Sequence, residues 1–454
     1  MITFLPIGGG NEIGANSYYL NFNGNGIILD CGIHPQKTGL QSLPVFDLLN
    51  NKPIDTCLIS HAHQDHIGSL PFLIKKFPYI KIITTPQTRA LAELTLHNSV
   101  SLLKKEVDQK DFEFFSHDEV DLLIKMIEYK EYENKFELNS YHHLREAKVN
   151  AEFINAGHIL GAGGIMLENN GHKIFYTGDI SLSGQALIPK AKLPDTKIDT
   201  LILETTYGAT NSDLLLDWDS ESLRFAKETN KVLNQGGSVL VPVFSLGKMQ
   251  EMLATIWQLM QKRKLTTVDI FTGGIGTKIN RIYDYNRFVV DRVDKEFELN
   301  SIPQKDYYEI TNPEDFFKVP CIVLASSGMM IKNTASYNFA KSFLKKRDSA
   351  IFTVGYMDTE SPGYIIANSQ QGDKIRINNS DEVMEVNCSV KNFRFSAHAK
   401  REDLLRIFEE LNPDNIILTH GDEEAIDWIG SSILKRKKNV SVKVAEQGKE
   451  IKIL

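Results

Sequence analysis

The densest group of chemically competent side chains lies in the segment Ser60–Gly68, which reads SHAHQDHIG. Three imidazoles and one carboxylate fall within six residues there, on His61, His63, Asp65 and His66. Imidazole and carboxylate are ligands that suit Zn²⁺ and also accept Mn²⁺ or Fe²⁺. His61 and His63 can converge on one ion from a turn, whereas Asp65 and His66 point to a different position. The segment therefore predicts ligands for two metal ions.

Further ligand-type residues follow other apolar runs of the chain. His158, Asp179 and His420 each stand just after such a run, beside a glycine that lets the backbone turn sharply. Ligand sites form where strands end at the rim of a sheet. Taken singly, each of these residues is more typical of a turn or a hydrogen-bonded core position. Together with Ser60–Gly68, they predict the rest of a two-metal site.

The elements that must position these residues follow two patterns. Short apolar runs separated by Gly, Asn and Asp turns predict strands in the first 85 residues and again over 151–203, with helices over 87–106 and 117–129 between them. From about residue 209 strands alternate with helices, which implies parallel pairing and an α/β domain. The predicted strands cover residues 18–22, 26–29, 56–60, 79–84, 151–154, 164–168, 173–176, 200–203, 238–243, 268–271, 321–325, 390–395 and 415–419, and the later helices cover 220–234, 247–262, 336–345, 402–411 and 423–434.

Composition bounds the class of protein. The chain has 454 residues, of which 42% are hydrophobic and 24% charged, so it can bury a large core. No apolar run approaches the ~20 residues of a membrane span, and Met1–Ile7 predicts a first strand instead of a signal peptide. The four cysteines form no CxxC pair, which fits a reducing cytoplasm. The net charge of -7 argues against a broad basic surface, though not against a nuclease with its positive charge at bound metal.

The order of these motifs resembles that of the metallo-β-lactamase superfamily. The family's series begins with an aspartate at a strand end, which Asp30 matches, and continues with HxHxDH. It then requires single His, Asp and His residues, which His158, Asp179 and His420 match. In the family the first aspartate is mainly structural, and we expect the same of Asp30.

The segment between Asp179 and His420 resembles the β-CASP insert. Glu204 matches the first extra motif of that insert, His398 the second, and His420 the third. The segments Val241–Lys248 and Ser326–Met330 also match its signatures. The resemblance covers nearly the whole chain.

The resemblance implies an α/β fold: an αββα metallo-β-lactamase sandwich interrupted by a β-CASP domain with a parallel sheet flanked by helices. We expect the sandwich to comprise residues 1–208 and 386–454. The inserted β-CASP domain is expected over residues 209–385.

The resemblance also implies a ligand set and catalytic roles. We expect two divalent ions, zinc or alternatively manganese. The implied ligands are His61, His63 and His158 for one ion, Asp65, His66 and His420 for the other, and Asp179 as the bridge. Asp65 is counted with the catalytic residues, His398 is the implied general acid, and Glu204 is expected to orient it. Ser327, Gly328 and Met329 are expected to offer backbone N–H groups to a phosphate, provided that they start the following helix.

The form of two motifs implies the substrate. A histidine at the position of His420 is typical of family members that act on RNA, and the sequence FSAHA at Phe395–Ala399 resembles cleavage-factor endonucleases. The implied function is metal-dependent hydrolysis of single-stranded RNA, with a homodimer as a further expectation. The alternatives are a 5′-exoribonuclease of the same family and a non-catalytic RNA-binding scaffold subunit. A DNA nuclease and a small-molecule hydrolase are further alternatives.

Two departures from the family pattern bear on substrate detail. Lys400 stands where the family commonly has aspartate after Ser-Ala-His-Ala. Residues 354–363 keep a Gly-Tyr pair, but Asp358–Gly363 lacks the usual Gly-Thr-Leu-Gly. Neither change touches the implied metal ligands.

Overall fold

The structure is a computed structural model that describes residues 2–106, 115–138, 148–355 and 357–453, so Tyr356 of the Gly-Tyr pair lies outside the described residues. The strands in chain order are β1 (Ile2–Gly8), β2 (Ser17–Phe22), β3 (Asn25–Leu29), β4 (Thr56–Leu58), β5 (Lys81–Thr84), β6 (Ile127–Tyr129), β7 (Phe136–Leu138), β8 (Val149–Asn155), β9 (Gly163–Asn169), β10 (His172–Tyr176), β11 (Thr200–Glu204), β12 (Val239–Pro242), β13 (Asp269–Thr272), β14 (Lys305–Asp306), β15 (Cys321–Ala325), β16 (Ala350–Thr353), β17 (Lys374–Ile375), β18 (Met384–Glu385), β19 (Ser389–Asn392), β20 (Asn415–Thr419), β21 (Ser441–Val444) and β22 (Ile451–Lys452). The α-helices are α1 (Gln64–Ile67), α2 (Leu70–Lys76), α3 (Pro86–Glu106), α4 (His117–Met126), α5 (Trp218–Asn234), α6 (Lys248–Gln261), α7 (Ile275–Tyr285), α8 (Ala335–Phe343), α9 (Pro362–Ala367), α10 (Arg401–Leu411) and α11 (Glu423–Arg436).

Two compact units emerge from the contacts between residues. The first consists of Met1–Ser183, Lys190–Leu214 and Ala397–Leu454, and the second of Gly184–Pro189 with Leu215–Ser396. From the sequence we expect domain boundaries between residues 208 and 209 and between residues 385 and 386. These boundaries stay a prediction.

Two seven-stranded sheets form the first unit, in the orders β22-β1-β2-β3-β4-β5-β6 and β21-β20-β11-β10-β9-β8-β7. They share one apolar core, in which Phe4 and Tyr18 of the first sheet cluster with Phe153 and Ile174 of the second. Helices α3 and α4 contact the first sheet, and α11 contacts the second. The predicted αββα sandwich is therefore confirmed.

Strand direction brings the predicted site residues to one edge of each sheet. β3, β4, β5 and β6 run parallel, as do β10, β11 and β20. β8 points the same way as β10 because both are antiparallel to β9. The carboxyl ends of β8, β10, β11 and β20, which precede or carry the predicted site residues, therefore share one sheet edge.

The second unit is built on a six-stranded sheet in the order β14-β13-β15-β12-β16-β19, with parallel pairing throughout. Its central strands are continuous apolar runs, such as Cys321–Ala325, and they are fully buried. That pattern is typical of parallel strands covered on both faces. Helices α5 and α8 contact β12, which confirms the predicted α/β insert.

Some local predictions were wrong. The helix predicted over 117–129 ends at Met126, because Ile127 turns inward and residues 127–129 pair with β5 as the edge strand β6. The short strands β7, β21 and β22 were not predicted, since charged residues interrupt their apolar pattern. Among the described residues, no helix combines the length and the apolar character that crossing a bilayer requires.

Candidate metal centre

The HxHxDH segment forms a tight turn after β4. His63 caps the short helix α1, so the side chains before and within that helix point in different directions. Gly32 packs against this turn so closely that an added Cβ atom would lie 1.7 Å from the Asp65 carbonyl oxygen. A glycine is thus required here for steric reasons.

A first cluster gathers three imidazoles and one carboxylate. The Nδ1 atom of His63 lies 3.1 Å from Nε2 of His61 and 3.1 Å from Nε2 of His158. Asp179 Oδ2 lies 3.5 Å from both of those Nε2 atoms. Four donor atoms from three separate segments therefore face a common point.

A second cluster lies beside the first. Asp65 Oδ2 lies 3.5 Å from His66 Nε2 and 3.4 Å from His420 Nε2. Asp179 contributes its other oxygen, with Oδ1 3.4 Å from His66 Nε2 and 2.9 Å from His420 Nδ1. Asp179 thus turns one carboxylate oxygen toward each cluster. All seven predicted ligands are brought together, in the two sets that the family resemblance implies.

The clusters fit divalent cations. A tetrahedral ion with ligand bonds of about 2.1 Å separates its donor atoms by roughly 3.4 Å, close to the spacing of the first cluster. Asp179 Oδ1 and His420 Nε2 are buried and make no hydrogen bond of normal geometry among the described residues, although Oδ1 lies 2.9 Å from His420 Nδ1 and Nε2 lies 3.4 Å from Asp65 Oδ2. Buried polar atoms are normally satisfied, so a cation at these positions explains both. The donor chemistry suits Zn²⁺ or Mn²⁺.

Asp30 orients His66 of the second cluster. Its Oδ1 accepts a hydrogen bond from the Ser60 backbone N–H at 2.6 Å, and its Oδ2 accepts from the Ser60 and Tyr176 hydroxyls, each at 2.7 Å. The same Oδ2 lies 2.8 Å from His66 Nδ1, which directs the lone pair of the other ring nitrogen toward the cluster. Asp30 is fully buried, so these contacts fix its orientation.

The ring orientation of His158 is fixed in the same way. Its Nδ1–H donates to the Ala397 carbonyl oxygen at 2.8 Å, leaving Nε2 to face the first cluster. Ala397 directly precedes His398, so the FSAHA motif orients the predicted ligand His158 and also supplies the side chain of His398. Sequence reasoning did not anticipate this contact, because a backbone carbonyl leaves no signature in residue type.

His398 and Glu204 form a pair next to the clusters. The Nδ1 atom of His398 lies 3.1 Å from Glu204 Oε2 and 3.2 Å from Oε1. Glu204 is buried, and its Oε1 also accepts the Ile180 backbone N–H at 2.7 Å. Donor atoms of Asp179, Glu204 and His398 lie within 4.8 Å of one another. Glu204 therefore fixes the orientation of the His398 ring beside the clusters.

The electrostatics of the two clusters differ. Burial lowers the pKa of His61 and of His158, so both rings are neutral and able to ligate. Burial alone would also lower the pKa of His420, but the carboxylates of Asp179 and Asp65 together outweigh burial and raise that pKa to about 10. The second cluster thus carries an excess of negative charge. Bound protons balance this charge, and a divalent cation would displace them when it binds.

The predicted phosphate contact at Ser327, Gly328 and Met329 lacks the helix start on which it depends. These residues form a turn, and helix α8 begins only at Ala335, with Thr334 as its N-cap. Two hydrogen bonds hold this turn. Ile331 N–H donates to Ser327 Oγ, and Gly363 N–H, from helix α9, donates to the Met329 carbonyl. No helix N-terminus is therefore formed at these three residues.

Sequence reasoning missed Asn16. This residue is buried, and its side-chain Nδ2 lies 3.0 Å from His66 Nε2 at the second cluster. The only available signal was a polar residue between the glycine-rich stretch and the apolar strand β2.

Three family models match the chain. The metallo-beta-lactamase superfamily matches residues 10–217, the Beta-Casp domain matches 249–366, and the Zn-dependent metallo-hydrolase RNA specificity domain matches 383–444. The first and third matches together contain the seven clustered ligands, Glu204 and His398.

Curated relatives match along nearly the whole chain. It is 29% identical to cleavage and polyadenylation specificity factor subunit 3 of Dictyostelium discoideum over 97% of its own length and 56% of the relative's. It is 31% identical to subunit 3-I of that factor from Arabidopsis thaliana, over 92% of the chain and 58% of the relative. It is 28% identical to the endoribonuclease ysh1 of Schizosaccharomyces pombe, over 98% and 57%. The chain thus spans less than three fifths of these relatives.

A solved structure shares the fold. A protein of unknown function from Enterococcus faecalis V583 superposes with a TM-score of 0.56 at 13% identity, covering 99% of each chain.

Proposed function

Because the chain belongs to the β-CASP group of the metallo-β-lactamase superfamily, we propose that it is a metal-dependent ribonuclease that hydrolyses phosphodiester bonds of single-stranded RNA. The activity is proposed to be endonucleolytic, in RNA processing or decay. The single observation that carries this proposal is the pair of donor clusters that share Asp179, with the His398–Glu204 pair beside them.

The seven ligands would hold two divalent ions, which we propose to be zinc, with manganese as the alternative. Such a pair supplies Lewis-acid activation of water and of a phosphate oxygen at neutral pH. Asp179 would set the spacing of the two positions, because its two oxygens face different clusters. Asp30 and the Ala397 carbonyl keep His66 and His158 in the ligating tautomer.

The remaining requirement is a proton for the leaving group. Attack on phosphorus in line with the 3′-oxygen expels an alkoxide, which is a poor leaving group unless it is protonated. Glu204 fixes His398 through Nδ1, so the other ring nitrogen is positioned to give that proton. The expected products carry a 3′-hydroxyl and a 5′-phosphate.

RNA is the proposed substrate for two reasons. The family model over residues 383–444 is described by its RNA specificity, and the relative from S. pombe is named an endoribonuclease. His420 lies inside that matched segment and belongs to the second cluster, so the residue that implied RNA is also a proposed ligand.

A cleavage assay tests the proposal. The zinc-loaded protein is incubated with end-labelled single-stranded RNA and DNA of one sequence, with a circular form of the RNA, and with Asp179→Asn as the inactive control. We expect preferential cutting of RNA, opening of the circle, and 5′-phosphate ends. Cutting of the linear RNA with the circle left intact would favour the 5′-exoribonuclease. RNA binding without cutting would favour the scaffold subunit.

Two further expectations from the sequence are kept as proposals. The homodimer is tested by light scattering at several protein concentrations, and the cytoplasmic location by cell fractionation. The Dictyostelium and Arabidopsis relatives are named as subunits of a factor, so co-purification of other chains would replace the homodimer with a larger assembly.

A further inference from the structure

Asn16 is held rigidly at the edge of the second cluster. It lies in the loop before β2, where its backbone N–H donates to the Asp65 carbonyl at 2.9 Å and its carbonyl accepts from the Gly32 N–H at 3.0 Å. Its side chain has no solvent exposure. The backbone of Asn16 is thus tied to the ligand segment itself.

The direction of the carboxamide is also fixed. Its Oδ1 accepts a hydrogen bond from the Tyr18 hydroxyl at 2.7 Å. The Nδ2 group must therefore face the other way, and it lies 3.0 Å from His66 Nε2.

In this structure the acceptor nearest to the Asn16 N–H₂ group is His66 Nε2, at 3.0 Å. His66 Nδ1 is committed to Asp30, so Nε2 is the atom that would ligate a cation and lose its lone pair. An amide nitrogen does not ligate divalent cations well, and a buried N–H left unpaired costs free energy. The carboxamide then requires an oxygen atom bound at the Asp65, His66 and His420 cluster.

We propose that Asn16 is a substrate-contacting residue whose carboxamide donates a hydrogen bond to a phosphate oxygen held at the second cluster. This inference rests on the proposed ribonuclease function and adds a fixed donor where negative charge accumulates during the displacement. A donor oriented in advance needs no reorganisation at the reaction step, which is how oxyanion sites gain their effect.

Binding of inorganic phosphate to the zinc-loaded protein tests the inference without requiring turnover. Calorimetric affinities are compared for wild type, Asn16→Ala, the nearly isosteric Asn16→Asp and Tyr18→Phe, with metal content measured in each. Asn169→Ala is the matched control, because Asn169 is another buried asparagine of the first unit, bonded to Asn23 and to the Lys148 carbonyl away from the clusters.

We expect Asn16→Ala to keep its metal content and to bind phosphate about ten- to hundredfold more weakly, the usual effect of losing a hydrogen bond to a charged group. Asn16→Asp should bind phosphate at least as weakly, because an acceptor replaces the donor. Tyr18→Phe should lose affinity a few-fold, and Asn169→Ala should match wild type.

Two results would overturn the inference. Asn16→Asp with wild-type phosphate affinity would show that no donor is needed, and this variant decides the question even if Asn16→Ala does not fold. Loss of one metal equivalent in Asn16→Ala, with phosphate affinity otherwise unchanged, would make Asn16 a support for His66 only. If wild type binds phosphate but cuts no RNA, the proposed function fails while the donor role of Asn16 is still measured.

Discussion

Replacement of His398 by alanine separates proton donation from metal binding. The histidine contacts Glu204 through Nδ1 and is not one of the seven proposed ligands of the two clusters. His398→Ala should therefore retain its metal content and its fold. Because the substitution removes the imidazole, the variant loses the whole of this proposed acid.

The magnitude follows from the role. A positioned general acid contributes about 10²–10⁴ in rate, or about 3–5 kcal/mol of activation free energy. Glu204→Gln keeps the ring but removes the charge that orients it, so we expect a smaller loss of about ten- to hundredfold. Burial alone would lower the pKa of His398, but the Glu204 carboxylate outweighs burial and raises it, which favours the protonated ring that a general acid needs.

The assay compares two substrates. Rates on RNA are measured beside rates on a nitrophenyl phosphodiester, whose leaving group needs little protonation, and metal content is determined by mass spectrometry. His398→Ala should be strongly impaired on RNA and close to wild type on the activated diester. His172→Ala is the control, since this half-buried histidine of β10 contacts Thr200 and lies outside the clusters. Loss of metal, or equal slowing on both substrates, would refute the general-acid assignment.

Four other outcomes are expected. His63→Ala should lose metal at the first cluster and most activity, because His63 Nδ1 is the donor atom closest to both neighbouring imidazoles; full metal content with wild-type rate would contradict this. Asp179→Asn should weaken both metal positions, since a neutral amide is a poor bridge between two cations, and metal titration checks it. Single-stranded RNA should be cut in strong preference to DNA of the same sequence, and equal rates would move the chain to a non-specific class. Burial raises the pKa of Glu251 to about 7. The stabilisation from protonated Glu251 is therefore fully present below pH 4.5 and is lost as the pH rises toward 7. In urea unfolding, the free energy of unfolding of Glu251→Gln should vary less with pH over that range than that of wild type.

The sequence is most informative where residue type and position agree. A ligand that directly follows an apolar strand must lie at a sheet edge, and the sequence pattern alone predicts the shared edge at which His158, Asp179 and His420 lie. The parallel sheet of the second unit follows from the same patterning, because alternating strands and helices imply parallel pairing, whereas the αββα sandwich was expected only from the family resemblance. The HxHxDH segment can be divided between two clusters because its side chains leave one turn in different directions.

The contacts that orient those ligands could not be predicted. The acceptor for His158 is a backbone carbonyl at Ala397, far away in the chain, and backbone atoms carry no sequence signal. Asn16 lacks any pattern linking it to His66, since their contact depends on the packing of two loops. The phosphate contact predicted at Ser327–Met329 requires a helix start, and the helix begins later, at Ala335. Helix boundaries depend on capping geometry, which composition alone does not determine.

The pairing of β11 with β20 has a consequence for folding during synthesis of the chain. The second unit is synthesised almost entirely between these two neighbouring strands, so β11 emerges from the ribosome with one side unpaired. At about 5–20 residues per second, β20 follows about 10–40 s later. During that interval the nascent chain exposes an open sheet edge, which invites association with other chains. During the same interval the chain also lacks His398 and His420, so neither the second cluster nor the His398–Glu204 pair is assembled.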